Sequence, residues 1–199
     1  MKQALHIYLF LYNYYMKKIY DIFNACKQNN LELIQEIYSE KYSELIPELL
    51  KISCSLGYFK IVEFFLKQEK IETLILNNLF IKTCQNGTCH TDNEDCNSKA
   101  VMKMLLNLGA DPSYNNETSL QYLCQNGDIK AIEILIVEYK YNLSESLLNS
   151  LSQINKNDID INYQNGIEYI LKIVSSLNQK NYLDNKLNTK DTTSRKFKV

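Results

Sequence analysis

The sequence predicts an all-α protein, a solenoid of about five helix–turn–helix repeats, on three observations. The string CQNG occurs twice, at residues 84–87 and 124–127, in a chain with only five glycines and six cysteines. Aligned on cysteine, that string joins a series. Ile22-x-x-Ala25-Cys26-x-x-Asn29 matches Leu50-x-x-Ser53-Cys54-x-x-Gly57, Phe80-x-x-Thr83-Cys84-x-x-Gly87 and Leu120-x-x-Leu123-Cys124-x-x-Gly127. A fifth copy, Leu148-x-x-Leu151-Ser152-x-x-Asn155, carries serine for cysteine. Third, apolar residues recur at helical spacing after each anchor, as in Leu31, Ile34, Ile37 and Tyr38, or Ile129, Ile132, Leu135 and Ile136.

In chain order, residues 1–17 form an apolar segment read as a capping helix. ALHIYLFLYNYY at 4–15 follows Lys2 as a signal peptide would, but it has no small-x-small cleavage site and is too short to span a bilayer. Met16-Lys17-Lys18 offers an alternative start. The repeats occupy residues 18–177, their anchors spaced 28, 30, 40 and 28. The long interval holds an insert at residues 88–97; without it, CQNG runs into SKAVMKMLL as the next CQNG runs into DIKAIEILI.

Each first helix must stop and reverse within a few residues, which calls for a left-handed residue. Glycine takes that conformation without a Cβ penalty and asparagine tolerates it. Asn29, Gly57, Gly87, Gly127 and Asn155 are therefore the structural turn positions, and asparagine is expected to substitute at Gly127. The cysteines one turn earlier read as small buried packing residues. A second insert is read at 156–166, where Tyr163-Gln164-Asn165-Gly166 offers a competing anchor; Ser152 is preferred because it keeps the 28-residue interval. The polar, basic tail from 178 to 199 is expected to be disordered.

A net charge of −1 lacks the electrostatic footprint of a nucleic-acid binder. Six cysteines in a chain of this length point to reduced thiols and a cytoplasmic location, and the chain is expected to be a monomer. The abundance of Asn, Tyr, Ile and Lys fits an A+T-rich coding genome.

Residues 109–136, GADPSYNNETSLQYLCQNGDIKAIEILI, resemble an ankyrin repeat. Gly109-Ala110-Asp111 stands at the family's GAD, Thr118-Ser119-Leu120-Gln121 at T-P-L-H, and residues 101–106 at the outer helix. Ser119 and Gln121 depart from the family's Pro and His, and the short periods imply shortened β-turn fingers. The resemblance implies a non-catalytic protein–protein interaction scaffold that binds a protein partner through its concave face. Degenerate, A+T-biased repeats of this kind resemble those of amoebal giant viruses, poxviruses and intracellular bacteria, which implies a host protein and a host–pathogen interaction. Substrate receptors for ubiquitin ligases occur there too, but no F-box stands in residues 1–18.

No phosphate-binding, dinucleotide, zinc-protease or nucleophile-elbow motif occurs, and the reading is of a chain with no catalytic residues and no cofactor. Cys84, Cys89, His90 and Cys96 are weak metal candidates, since three thiolates and an imidazole make a tetrahedral set but their spacing matches no recognised finger. The partner-binding candidates are Tyr114, Asn115 and Asn116 at a turn tip, with Gln121 and Gln125 following at helical spacing. Two alternatives remain: a membrane-tethered repeat module using residues 4–15, and a metal- or redox-responsive module built on residues 84–96.

Overall fold

The computed structural model describes residues 2–86, 97–153 and 159–194. The described residues are all-α, with no strand among them. The chain divides into two compact units, Met1–Leu123 and Cys124–Val199.

In the first unit α1 (Lys2–Lys27) turns into α2 (Leu31–Ile37) and α3 (Ile46–Ser55) into α4 (Phe59–Leu66). Next come α5 (Thr73–Gln85), α6 (Ser98–Asn107) and α7 (Tyr114–Gln125), whose last two residues begin the second unit. The first helices α1, α3 and α5 lie side by side, and α4 and α6 form a second layer. Tyr38, at the end of α2, meets that second layer edge-on through Phe64 and Phe65, at 5.7 Å between ring centroids in each case. The turn before α3 is a tight 3₁₀ segment, Glu40–Leu45, that buries Tyr42, and Pro47 then sits in the first turn of α3 where its missing N–H costs nothing.

The cysteine alignment is a map of the core. Ile22, Leu50, Phe80 and Leu120 stand four residues before their cysteines; Ala25, Ser53, Thr83 and Leu123 stand one before. All eight, and Cys26, Cys54, Cys84 and Cys124 with them, are at most 1 % exposed. The hydroxyls in that column are satisfied locally: Ser53 Oγ donates to the Leu49 carbonyl at 2.8 Å and Thr83 Oγ1 to that of Leu79 at 2.9 Å. Each also hydrogen-bonds with the cysteine of the preceding repeat, Ser53 with Cys26 and Thr83 with Cys54. A small polar pair thus sits between neighbouring helices where a larger side chain would hold them apart.

The turns follow the same logic. α1, α3 and α7 end two residues before Asn29, Gly57 and Gly127, which are all left-handed with φ of 55°, 70° and 65°. Asn30 N–H then donates to the Ala25 carbonyl at 2.9 Å and Tyr58 N–H to that of Ser53 at 3.0 Å, closing the helix end. After Asn29 and Gly127 the following helix is capped by the next side chain, while Tyr58 after Gly57 gives no side-chain cap. Oδ1 of Asn30 accepts from Leu33 N–H at 2.9 Å and that of Asp128 from Ala131 N–H at 3.1 Å. Gly87 and Asn155, the other two turn positions, lie outside the described residues.

The insert is entered at Asn86 and left at Asn97. Asn86 Nδ2 donates to the Ser55 carbonyl at 3.2 Å and Asn97 N–H to the Gly57 carbonyl at 2.7 Å, so both ends are pinned to one turn. Asn97 also caps α6, its Oδ1 accepting from Ala100 N–H at 2.9 Å. It therefore belongs to the repeat, as Asn30 and Asp128 do, and the insert is residues 88–96 rather than 88–97.

In the second unit α8 (Ile129–Glu133) widens into a π turn, Ile134–Glu138, which lets the consecutive Ile134, Leu135 and Ile136 all be buried. α9 (Glu145–Gln153) and α8 both pack against α10 (Ile161–Ser194). Three expectations are corrected here. The anchor placed at Ser152 is exposed; among the described side chains of α9, Leu147 and Leu151 are buried, a register one residue earlier. Within 156–166, residues 161–166 belong to α10, not to an insert, and the competing anchor at 163–166 makes no turn. Of the tail expected to be disordered, residues 178–194 run on as helix, since no Gly or Pro follows Gly166 to stop it, and 195–199 lie outside the described residues.

Candidate functional site

The turn tip between α6 and α7 is built from the backbone outward. α6 ends at left-handed Gly109, where Ala110 N–H donates to the Leu105 carbonyl at 3.0 Å. Asp111 N–H donates to Oδ1 of Asn77 on α5 at 2.7 Å, fixing the tip to its neighbour. Oδ1 of Asp111 in turn accepts from the N–H and hydroxyl of Ser113, at 2.8 and 2.7 Å. Asn115, Asn116 and Glu117, at the start of the α7 span, are not helical but form a left-handed turn, with φ of 55°, 55° and 58°, so the regular helix begins after them. The two asparagines tolerate the turn; Glu117, buried, is held in a conformation that costs an ordinary residue about 1–2 kcal/mol.

The tip is braced by side chains of the helix it precedes. Thr118 Oγ1 donates to the Asn115 carbonyl, Gln121 Nε2 to the Asn116 carbonyl at 3.0 Å, and the buried Ser119 Oγ to the Pro112 carbonyl at 3.1 Å. Of the candidate partner-binding residues, Tyr114, Asn115, Asn116 and Gln121 are thus brought together, with both asparagines exposed and Tyr114 and Gln121 half-buried. Gln121 supports the tip instead of reaching out from it. Gln125 is exposed and belongs to the second unit.

A second feature of the first unit is one that the reading of turn tips passes over. Between α3 and α5 lies a shallow cleft of about 390 Å³ whose walls include Pro47, Glu48, Lys51, Asn78, Leu79 and Lys82. The repeat register would have found it: Glu48 and Asn78 both stand six residues before their cysteines, and Lys51 stands three before Cys54, as Gln121 does before Cys124. Lys51 Nζ lies 3.3 Å from Glu48 Oε2, an exposed pair worth little, and Lys82 Nζ donates to Gln85 Oε1 at 2.7 Å. In the second unit α9 and α10 enclose a shallow groove of about 620 Å³ lined by Leu148, Ser152, Leu171 and Val174.

Burial pushes the thiols of Cys26, Cys54 and Cys124 up to about 12, with the hydrogen bonds to Ser53 and Thr83 acting the other way on the first two. They are protonated at neutral pH, and a protonated, buried thiol is neither nucleophile nor metal ligand. Cys84 is equally buried. Cys89, His90 and Cys96 lie outside the described residues, among which no group of His, Cys, Asp or Glu is placed to hold a metal ion. Comparison with protein-family models, with curated proteins and with solved structures finds no match.

Proposed function

We propose that the chain is a non-catalytic scaffold of degenerate ankyrin-like repeats that binds a protein partner, a host protein in the setting its resemblance implies. The observation that carries the reading is a shared surface: α3 and α5 pack side by side and present Glu48 and Asn78 from the same position of the repeat, with Lys51 and Lys82 about one turn further on. Such a face is broad, shallow and mixed in polarity, which suits the flat surface of a folded protein better than a small ligand that needs enclosure. The tip at Tyr114–Asn116 adds a half-buried tyrosine, a side chain that gives much contact area for little lost freedom.

The test is affinity capture from the native cell with identification by mass spectrometry, run in parallel on Lys51→Glu with Lys82→Glu and on Tyr114→Ala. The proposal expects one protein retained by the parent chain and lost by the charge-reversed face, with the unfolding midpoint nearly unchanged. A partner held equally by parent and face variants contradicts it, as does the absence of any specific partner.

A further inference from the structure

The repeat register picks out one side of the first helices that the core does not use. Six residues before their cysteines stand Tyr20, Glu48 and Asn78, all exposed. Three before stand Phe23, Lys51 and Ile81; two before Cys84 stands Lys82, and one after Cys26 stands Lys27. At the helical repeat these positions fall within about 100° of arc. The other side of each helix holds the buried cysteine and the residue before it, as Ala25 and Cys26 do on α1. Since α1, α3 and α5 lie side by side, the arc is one face of the first unit.

That face is cationic in a chain whose net charge is −1. α3 and α5 together hold one carboxylate, Glu48, against Lys51 and Lys82, and α1 adds exposed Lys27. Asp21 of α1 stands off the face, at the register position of buried Leu49 and Leu79. Glu48 meets Lys51 at 3.3 Å, but both are exposed and the pairing is weak; Lys82 donates to a neutral amide, that of Gln85. The positive charge is left to a partner.

Spacing and depth decide what kind of partner. Helices packed side by side have axes about 8–10 Å apart. Lys82 stands one residue further along its helix than Lys51, and Lys27 four further, or about 1.5 and 6 Å. Neighbouring lysines are therefore roughly 10 Å apart, in a row that crosses the helices. In a polyproline II chain every third residue returns to the same side, roughly 9 Å on. An extended segment with a carboxylate at every third position matches the row. Its other side chains meet Phe23, Ile81 and Tyr20, which at 67 % exposure is an aromatic anchor in waiting. The cleft of about 390 Å³ between α3 and α5 is shallow, suited to a side chain rather than to a helix about 10–12 Å across. A nucleic acid, with a charge every ~3.4 Å along each strand, would set phosphates against Glu48.

We propose that this face binds an extended acidic segment of a protein, its carboxylates at every third residue paired with Lys27, Lys51 and Lys82. The inference rests on the scaffold reading but fails separately: a partner captured normally by a chain that binds no acidic peptide overturns this inference alone. The full chain is titrated into a fluorescein-labelled peptide of three Glu-Pro-Leu units and followed by anisotropy. Three Gln-Pro-Leu units and a single-stranded oligothymidylate of nine nucleotides serve as comparators. The glutamate peptide is expected to bind at least about tenfold more tightly than the glutamine peptide, the sum of three exposed charge pairs. Lys27→Gln with Lys51→Gln and Lys82→Gln removes that difference at a nearly unchanged unfolding midpoint, whereas Lys27→Arg with Lys51→Arg and Lys82→Arg keeps it. Any of three results overturns the proposal: equal binding of the two peptides, a glutamine variant of the chain that still prefers the glutamate peptide, or tighter binding of the oligothymidylate.

Discussion

Gln-Asn-Gly closes a helix at residues 125–127 and runs through the interior of one at 164–166. The two copies lie against each other. A Cβ on Gly127 would stand 2.9 Å from the Asn162 carbonyl oxygen, and one on Gly166 would stand 2.7 Å from that of Cys124. What separates them is the sequence that follows. Asp128 caps a new helix and the chain reverses; after Gly166, Ile167 and Ile170 are buried and keep α10 going. The glycine serves conformation at 127 and closeness at both, which teaches that the same three letters turn the chain or continue a helix according to the residues that follow them.

The largest effect expected from that comparison is at Gly166. Glycine to alanine inside a helix ordinarily stabilises by up to about 1 kcal/mol. Here the added carbon meets backbone, which has little room to give, and Gly166→Ala is expected to destabilise by about 3 kcal/mol in urea unfolding. A stabilised variant would mean that α10 does not approach Cys124 closely.

Gly127 comes next, and it revises an expectation. Asparagine at Asn29 suggests that asparagine should be tolerated at 127, but any Cβ there meets Asn162, so Gly127→Asn is expected to cost about 2 kcal/mol. Gly109 is left-handed with open space around it, and Gly109→Asn should cost about 1 kcal/mol less than Gly127→Asn. Equal losses would show that conformation alone decides both sites.

The thiol columns give a pH dependence. Cys26, Cys54 and Cys124 titrate near 9.0 when unfolded and are raised to about 12 when folded, so the native chain keeps protons that the unfolded chain sheds. Their contribution is fully present below pH 9 and is lost as pH climbs from there toward 12, by up to about 1.4 kcal/mol per thiol per pH unit. Urea midpoints measured upward from neutral pH should hold and then fall, and Cys54→Ser should flatten the fall. A flat profile in the parent chain would mean that the thiols are not buried.

The smallest effect concerns the insert. Deleting residues 88–96 keeps the Asn97 cap and joins two ends already pinned to one turn. Deleting 88–97 removes that cap as well and should be about 1 kcal/mol less stable. Indistinguishable melting curves for the two deletions would place the insert's boundary elsewhere.

How far the letters carried the reading depends on what burial added to them. The cysteine columns and the turns at Asn29, Gly57 and Gly127 were legible because a small residue and a left-handed residue recur three apart. The last repeat was not: Leu147, Leu148 and Leu151 allow two registers one residue apart, and only burial selects Leu147 and Leu151 over Ser152. The left-handed turn at 115–117 was half legible, since asparagine suggests it and Glu117 does not. The cleft of Lys51 and Lys82 was within reach of the register, but exposure on a helix face leaves no mark in composition.

The proposed protein-binding face meets its most direct test in lysine labelling of the chain alone and with its captured partner. The account predicts that the partner shields Lys51 and Lys82 on α3 and α5, while Lys60 and Lys67, on and at the end of α4 in the other layer, label as before. Shielding of Lys60 and Lys67 with Lys51 and Lys82 unchanged would contradict it.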